Sequence, residues 1–234
     1  MDPRLRLDKY ISNATDLSRT EAKRLIKAGD VCIDEKVAAS GSEKVSSEHS
    51  ITIDGSPITL LVDRYFMMNK PAGVVSATKD HSNPTAIDLI YEHRNEQLQI
   101  AGRLDIDTTG LLLITDDGQW NHIVTSPRTD CKKIYLVELQ HPVGEDYQKK
   151  LEAGIALEGE KRRCLPATMA VIDEHHIRLT ISEGKYHQVK RMMTSLGNEV
   201  VSLHRIQIGG IALDPALEPG DYRPLTKDEI TSIQ

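Results

Sequence analysis

Apolar stretches of strand length recur through the second half of the chain. Residues 111–115 form an apolar run with the length and character of a buried strand. Residues 64–69, 133–139 and 177–181 are further short stretches in which apolar and polar positions alternate or group as in strands. We therefore predict a sheet in this part of the chain, with the 111–115 strand in its interior.

Helices and turns are predicted between and after these strands. Pro71 and Gly73 are typical of a turn between two strands. Residues 203–211 and 219–226 are expected to close the sheet. Helices are predicted over residues 148–154, over residues 185–193 with an end near Gly197, and from residue 227 onward.

The first 45 residues predict a compact module of their own. Ser18 and Glu21 form a capping-box signature, so a helix over residues 19–28 is expected, with Gly29 as its stop. A short strand and turn follow over residues 31–37. Basic side chains occupy one arc of the helix (Arg19, Lys23, Arg24 and Lys27) and alternate with the apolar residues before it (Arg4, Arg6 and Lys9).

Two domains are predicted from these patterns. Residues 41–50 are rich in Ser, Lys and Glu, and a turn follows them, so we place a linker near residues 56–64. The domains are then 1–60 and 61–234, and the chain is long enough for each to bury a core.

Composition narrows the function classes. Hydrophobic residues make up 39% and charged residues 27% of the chain, which is ordinary for a soluble globular protein. The first residues lack the apolar segment of a signal peptide and no run reaches membrane-spanning length, so a cytoplasmic protein without a membrane partner is expected. Three separated cysteines indicate neither a disulfide framework nor a zinc site. The net charge of −6 lowers non-specific affinity for nucleic acid, so RNA binding would depend on local basic patches.

An arginine and two carboxylates lie directly before the buried strand, on a loop bounded by Gly102 and Gly110. Asp105 and Asp107, followed by Thr109, Gly110 and Asp116, have the spacing of an EF-hand calcium loop, although a strand follows here instead of a helix. D-x-D-x-T also resembles the nucleophile motif of haloacid dehalogenase-type phosphatases. That motif normally ends an apolar strand, whereas Gly102 and Arg103 precede this one.

A third possibility rests on a longer match. The sequence G-R-L-D-x-x-T-x-G-L-L-L-x-T-x-D-G resembles the central motif of the ribosomal RNA pseudouridine synthases, and residues 117–122 and 125–128 resemble the branch that modifies small-subunit RNA. N-K-P-x-G-x-V, K-x-Y and E-G-x-x-H-Q-V-K-R-M resemble further motifs of the same family. R-L-D-K-Y-I and the helix after it resemble the S4 RNA-binding domain. The resemblance implies an α+β fold, in which a small S4-like α/β module precedes a catalytic domain with a mixed, largely antiparallel sheet.

The resemblance also implies roles for individual residues. Asp105 is the expected catalytic carboxylate, Lys190 its partner with Arg191 as the alternative, and Tyr135 the residue that stacks on the base and assists loss of the C5 proton. Arg103 is expected to position RNA, and Asp107 to act in loop structure or local hydrogen bonding. Neither a metal nor a cofactor is expected. The expected RNA-binding residues are Arg4, Arg6, Lys9, Arg19, Lys23, Arg24, Lys27, His187 and Arg191.

The predicted function is therefore isomerisation of a uridine in 16S (small-subunit) rRNA to pseudouridine. The expected partner is this rRNA within a partly assembled small ribosomal subunit particle, and the protein is expected to be a monomer. Three alternatives stay open: a synthase for large-subunit rRNA, a non-catalytic S4-containing assembly factor, and a magnesium-dependent D-x-D-x-T phosphatase.

Overall fold

A computed structural model describes residues 4–46, 48–59, 63–92 and 94–233. The chain divides into two compact units, Met1–Val62 and Asp63–Gln234. Residues 60–62 of the predicted linker lie outside the described residues. Within the described residues, no helix is long and apolar enough to cross a membrane.

The first unit is a small α/β module. The capping box forms as predicted, since the Ser18 side chain accepts from the Glu21 amide and the Glu21 side chain accepts from the Ser18 amide, and Gly29 ends the helix in the left-handed conformation. Four of its described strands form an antiparallel sheet in the order β3-β2-β5-β6, and β1 pairs with β4. The elements are β1 (Leu5–Arg6), α1 (Leu7–Ala14), α2 (Arg19–Ala28), β2 (Val31–Ile33), β3 (Lys36–Val37), β4 (Lys44–Val45), β5 (Ile51–Ile53) and β6 (Ser56–Ile58).

The second unit is built on one mixed sheet, which confirms the predicted α+β class. Its strands run in the order β11-β12-β10-β13-β9-β7-β15, with β8 paired to β9 and β14 to β13. The elements are β7 (Tyr65–Lys70), β8 (Gln99–Ala101), β9 (Thr109–Thr115), α3 (Gly118–Thr125), β10 (Lys133–Leu139), α4 (Tyr147–Glu152), β11 (Thr168–Val171), β12 (His176–Ile181), α5 (Gln188–Ser195), β13 (Val200–Ile208), β14 (Ile211–Ala212), β15 (Tyr222–Pro224) and α6 (Lys227–Thr231).

The strand β9 is buried on both faces, as its continuous apolar run predicts. Leu112 and Ile114 join the hydrophobic cluster on one face of the sheet, whereas Leu111 and Leu113 join the cluster on the other. At its start β9 runs parallel to β13, and Gly110 has a φ of +99° there. A Cβ atom on Gly110 would lie 2.3 Å from the Arg205 carbonyl oxygen, so glycine permits the close approach of the two strands.

Three sequence predictions differ from the structure. Residues 203–211 do not close the sheet, because β13 lies in its interior between β10 and β9 and β15 forms the edge beside β7. The stretch after Gly73 forms an isolated bridge between Val75 and Thr85 instead of a second strand. The helix predicted from residue 185 begins at Gln188, because His187 has a φ of +47° and so lies outside the helical region.

Candidate active site

The loop between β8 and β9 carries Asp105. Its backbone is hydrogen-bonded to the side chain of Arg205 on β13. Arg205 is 2% exposed, and its guanidinium donates to the carbonyl oxygens of Gly102 at 2.7 Å and Arg103 at 3.4 Å. It also donates to the Leu111 carbonyl at 2.8 Å, which joins the loop to β9. Buried donors and acceptors satisfied in this way fix a backbone strongly. The loop therefore has a defined conformation beside the sheet.

Two further groups hold the rest of the same loop. The Ser76 hydroxyl donates to the Leu104 carbonyl at 2.8 Å and accepts from the Leu104 amide at 3.0 Å. The buried Lys70 ammonium donates to the carbonyl oxygens of Pro71 at 2.8 Å and Ile106 at 3.4 Å. Burial lowers the pKa of Lys70 to about 8, although the charges of Asp107 and Asp105 act in the opposite direction.

Basic side chains from α5 and its N-terminal end face the Asp105 carboxylate. His187 Nε2 lies 3.5 Å from Asp105 Oδ1, and Lys190 Nζ lies 3.8 Å from Asp105 Oδ2. Lys190 contacts the neighbouring Asp107 more closely, at 2.6 and 2.7 Å from its two oxygens. Its hydrogen bond holds the pKa of Asp107 below the ordinary value. Lys190 thus bridges two carboxylates of which Asp107 is the more exposed.

Asp105 opens onto a cavity of about 980 Å³. Tyr135 on β10 is buried, and its phenol oxygen accepts from Arg205 at 3.4 Å. The Arg205 guanidinium carbon lies 5.9 Å from the centre of the Tyr135 ring. The exposed Tyr186 ring is stacked on His187, with the ring centres 3.8 Å apart. Residues lining the cavity include Arg103, Asp105, Lys133, Tyr135, Tyr186, His187, Lys190 and Arg205.

Most of the predicted catalytic residues therefore line one cavity, but Arg191 does not join Asp105. It donates to the carbonyl oxygens of Glu158 and Tyr186 and lies 3.4 Å from the Glu160 carboxylate. Successive helix residues point about 100° apart, so Lys190 and Arg191 cannot both face the same carboxylate. The alternative partner considered for Asp105 is consequently wrong on geometry.

The predicted RNA-binding residues of the first unit divide into two groups. Arg6 and Arg19 donate to the buried Asp8 carboxylate at 3.1 Å, and Lys23 lies 3.8 Å from it. The Arg6 hydrogen bond lowers the pKa of Asp8 to about 2. The other predicted residues of this unit are exposed away from Asp8, namely Arg4, Lys9, Arg24 and Lys27.

The sequence patterns do not single out four charged residues that the structure buries: Asp8, Lys70, Lys133 and Arg205. No local pattern marks Arg205, because its burial follows from the place of β13 in the interior of the sheet. Asp8 lies two residues after Arg6 and in the first turn of α1, where an acidic residue is ordinary. Lys70 was interpreted only as part of a turn motif.

The calcium alternative required a helix after the Asp105 loop, and β9 follows it instead. The phosphatase motif would end a strand, whereas Asp105 lies four residues beyond the end of β8. Among the described residues, no group of three or more His, Cys, Asp or Glu side chains is placed to hold a metal ion.

Residues 64–195, more than half of the chain, match the family described as RNA pseudouridylate synthase. The chain belongs to this family. Residues 5–59 of the synthase match the S4 domain. It is thus an RNA pseudouridine synthase, an isomerase whose substrate is RNA, and its fold is an S4 domain followed by a synthase domain.

Similar proteins cover the whole synthase. It is 51% identical to the ribosomal small subunit pseudouridine synthase A of Vibrio cholerae, over 98% of this chain and 99% of the relative. The protein of the same name from Escherichia coli K12 is 48% identical, over 98% of this chain and all of the relative. A crystal structure described as a pseudouridylate synthase is 46% identical with a TM-score of 0.72, and the match covers 98% of this chain and 100% of that one.

Proposed function

We propose that this synthase converts a uridine of 16S (small-subunit) rRNA to pseudouridine during ribosome assembly, with Asp105 as the catalytic carboxylate. Similar proteins that span the whole chain are named ribosomal small subunit pseudouridine synthase A. The observation that carries the role of Asp105 is its position in the cavity. Its Oδ2 lies 3.8 Å from Lys190 Nζ, and Tyr135 lines the same cavity.

The reaction moves a base without adding or removing atoms. The bond from ribose C1′ to N1 breaks with its electron pair going to the base, the base turns, and C5 supplies the pair for a new bond to C1′. The C5 proton leaves and N1 gains a proton. Asp105 either attacks the substrate covalently or removes a ribose proton, and both routes need a carboxylate beside the sugar.

The other residues of the cavity divide the remaining tasks. The Lys190 ammonium attracts the carboxylates of Asp105 and Asp107, which keeps both beside the sugar site. The Tyr135 ring stacks on the base and its oxygen assists loss of the C5 proton. Arg103 is exposed at the cavity and occupies the space that the extruded uridine leaves in its stack.

The S4 domain supplies phosphate contacts through its basic residues. We propose that the RNA is bound as part of a partly assembled small-subunit particle, that the synthase acts as a monomer, and that it works in the cytoplasm, where bacterial ribosomes assemble.

Tritium release from rRNA labelled at uridine C5, measured with EDTA present, tests this assignment. The wild type should release tritium from small-subunit rRNA, either as naked RNA or as a partly assembled particle. Asp105→Asn should fold and bind RNA but release none, because an amide can neither attack C1′ nor accept the ribose proton. Asp107→Asn is the matched control and should retain measurable turnover, since its carboxylate is the more exposed of the two and is hydrogen-bonded to Lys190.

Full activity of Asp105→Asn would show that another group performs the chemistry. Release from large-subunit rRNA alone would move the substrate to that RNA. Tight RNA binding without release from either RNA would favour a non-catalytic assembly factor.

A further inference from the structure

Lys133 is a buried cation of the cavity to which the steps above give no task. Its side chain lines the cavity and the residue is 5% exposed. The ammonium forms no hydrogen bond or ion pair with any residue in 4–46, 48–59, 63–92 or 94–233. Lysines are almost never buried this deeply without a partner, because an unpaired buried charge costs free energy. Its Nζ is not fully enclosed by the described residues and can be reached from the cavity, so we expect a molecule bound there to be the partner.

The groups near Lys133 do not neutralise it. Burial raises the pKa of the nearby Cys131 thiol, so that this group is uncharged at neutral pH. The Arg205 guanidinium is a like charge, and Asp130 acts only at longer range than an ion pair. Burial accordingly lowers the pKa of Lys133.

The position of Lys133 places it beside the proposed base site. Lys133 and Tyr135 are two residues apart on β10, so their side chains leave the same face of the sheet. Tyr135 is paired in register with Arg205 on β13. The Arg205 guanidinium donates hydrogen bonds to three backbone carbonyls and to the Tyr135 phenol. In contrast, the three N–H donors of Lys133 form no hydrogen bond with the described residues.

The geometry points to Lys133 as the group that stabilises the detached uracil, by donating a hydrogen bond from its ammonium to a carbonyl oxygen of the ring. This inference rests on the proposed function. When the C1′–N1 bond breaks, its electron pair enters the ring and the negative charge spreads onto the carbonyl oxygens. No proton has to pass from Lys133 to neutralise this anion, because the ring becomes neutral when C5 joins C1′. The later loss of the C5 proton is balanced by the proton that N1 gains. A preorganised cation in a water-poor site is suited to such transient charge.

Single-turnover pseudouridine formation, measured by chromatography of nuclease-digested rRNA, tests this role. Lys133→Met should lower the rate on the order of 100-fold, as loss of one oxyanion donor does elsewhere, with RNA affinity unchanged. Lys132→Met is the matched control, since Lys132 is the exposed neighbour on the chain, and it should keep the wild-type rate.

A second substrate separates charge stabilisation from structural damage. Fluorine at C5 withdraws electrons and stabilises the base anion, so the Lys133→Met defect should be clearly smaller for loss of 5-fluorouridine than for loss of uridine. Lys133→Met should also unfold at a higher urea concentration than the wild type, because it removes an unpaired buried charge. Equal defects on the two substrates, a wild-type rate for Lys133→Met, or a lower urea midpoint would each overturn the inference.

The ratio of the single-turnover rate of Lys133→Met to that of the wild type tests the role of Lys133. The RNA on which the wild type acts tests the proposed function. If the wild type acts on large-subunit rRNA instead, the proposed substrate fails and the same ratio is measured on that RNA. A wild type inert on both RNAs would overturn both proposals.

Discussion

Lys70 shows how a single buried side chain can serve the backbone instead of the substrate. Its ammonium is fully buried and donates to the carbonyls of Pro71 and Ile106, one residue beyond Asp105. A lysine so placed binds its proton less tightly in the folded protein than in the unfolded chain, with a folded-state pKa of about 8 against an ordinary value of 10.5. The stability that Lys70 and its contacts to the Asp105 loop contribute to the fold therefore depends on pH.

The sign of this linkage gives a prediction. Between pH 8 and 10.5 the unfolded chain holds the Lys70 proton and the folded protein does not, so the contribution of Lys70 to stability rises with pH. The free energy of unfolding of the wild type, minus that of Lys70→Met, should increase by about 2 kcal/mol from pH 7 to pH 10. Urea titrations at several pH values measure this difference, and titrations of other groups cancel in it. A difference that does not change with pH for Lys70→Met would refute the buried titration.

At the scale of elements, periodicity predicted the strands well and their order poorly. The predicted helix over 19–28 and strand over 133–139 match the structure residue for residue, because a capping box and a regular alternation are local signals. The place of β13 between β9 and β10 depends on contacts with residues about 60 to 95 positions away. No local pattern encodes such pairing.

The same contrast applies to the site. Asp105, Tyr135 and Lys190 could be named because they stand in recognisable motifs, and they do line one cavity. Arg205 and Lys133 could not, because their importance comes from burial, which exists only once the sheet has formed. The left-handed conformation of His187, which delays the start of α5, was likewise invisible in a sequence that continues as a good helix.

The close approach of the paired strands β9 and β13 at Gly110 gives a prediction at the scale of elements. Gly110→Ala should lower the free energy of unfolding by about 3 kcal/mol, because the new methyl group meets the Arg205 backbone and the φ of +99° strains any side chain. Gly73→Ala is the control, since Gly73 has a φ of +81° but no atom within 4 Å of the added Cβ, so only the strain of about 1 kcal/mol applies. Urea unfolding measures both, and equal losses would show that the strands can separate freely.

For the whole molecule, the net charge of −6 and an RNA substrate are reconciled by local placement of the basic residues. Asp8 gathers Arg6, Arg19 and Lys23 around one buried carboxylate, which fixes their positions but offsets part of their charge. Arg24 and Lys27 project from the same helix with no ion pair to any described residue. These two should contribute most fully to phosphate binding.

Salt dependence measures that contribution. Arg24→Gln with Lys27→Gln should weaken RNA binding and reduce the slope of log affinity against log salt by about 1.5, since each phosphate contact adds roughly 0.7 to 0.9. Lys149→Gln with Lys150→Gln makes the same charge change on exposed residues of the synthase domain and should leave the slope unaltered. An equal change in both double variants would mean that only total charge matters.

The hold of Arg205 on the loop of Asp105 also bears on the order in which the protein is made. A ribosome synthesises the loop about a hundred residues before it reaches Arg205, and domains fold as they emerge. Until β13 has left the ribosome and entered the sheet, the carbonyls of Gly102 and Arg103 lack their donor and Asp105 has no fixed orientation. On the proposed role of Asp105, we therefore expect the nascent chain to be inactive among the ribosomal RNA that surrounds it, and to become active only after β13 has emerged and entered the sheet.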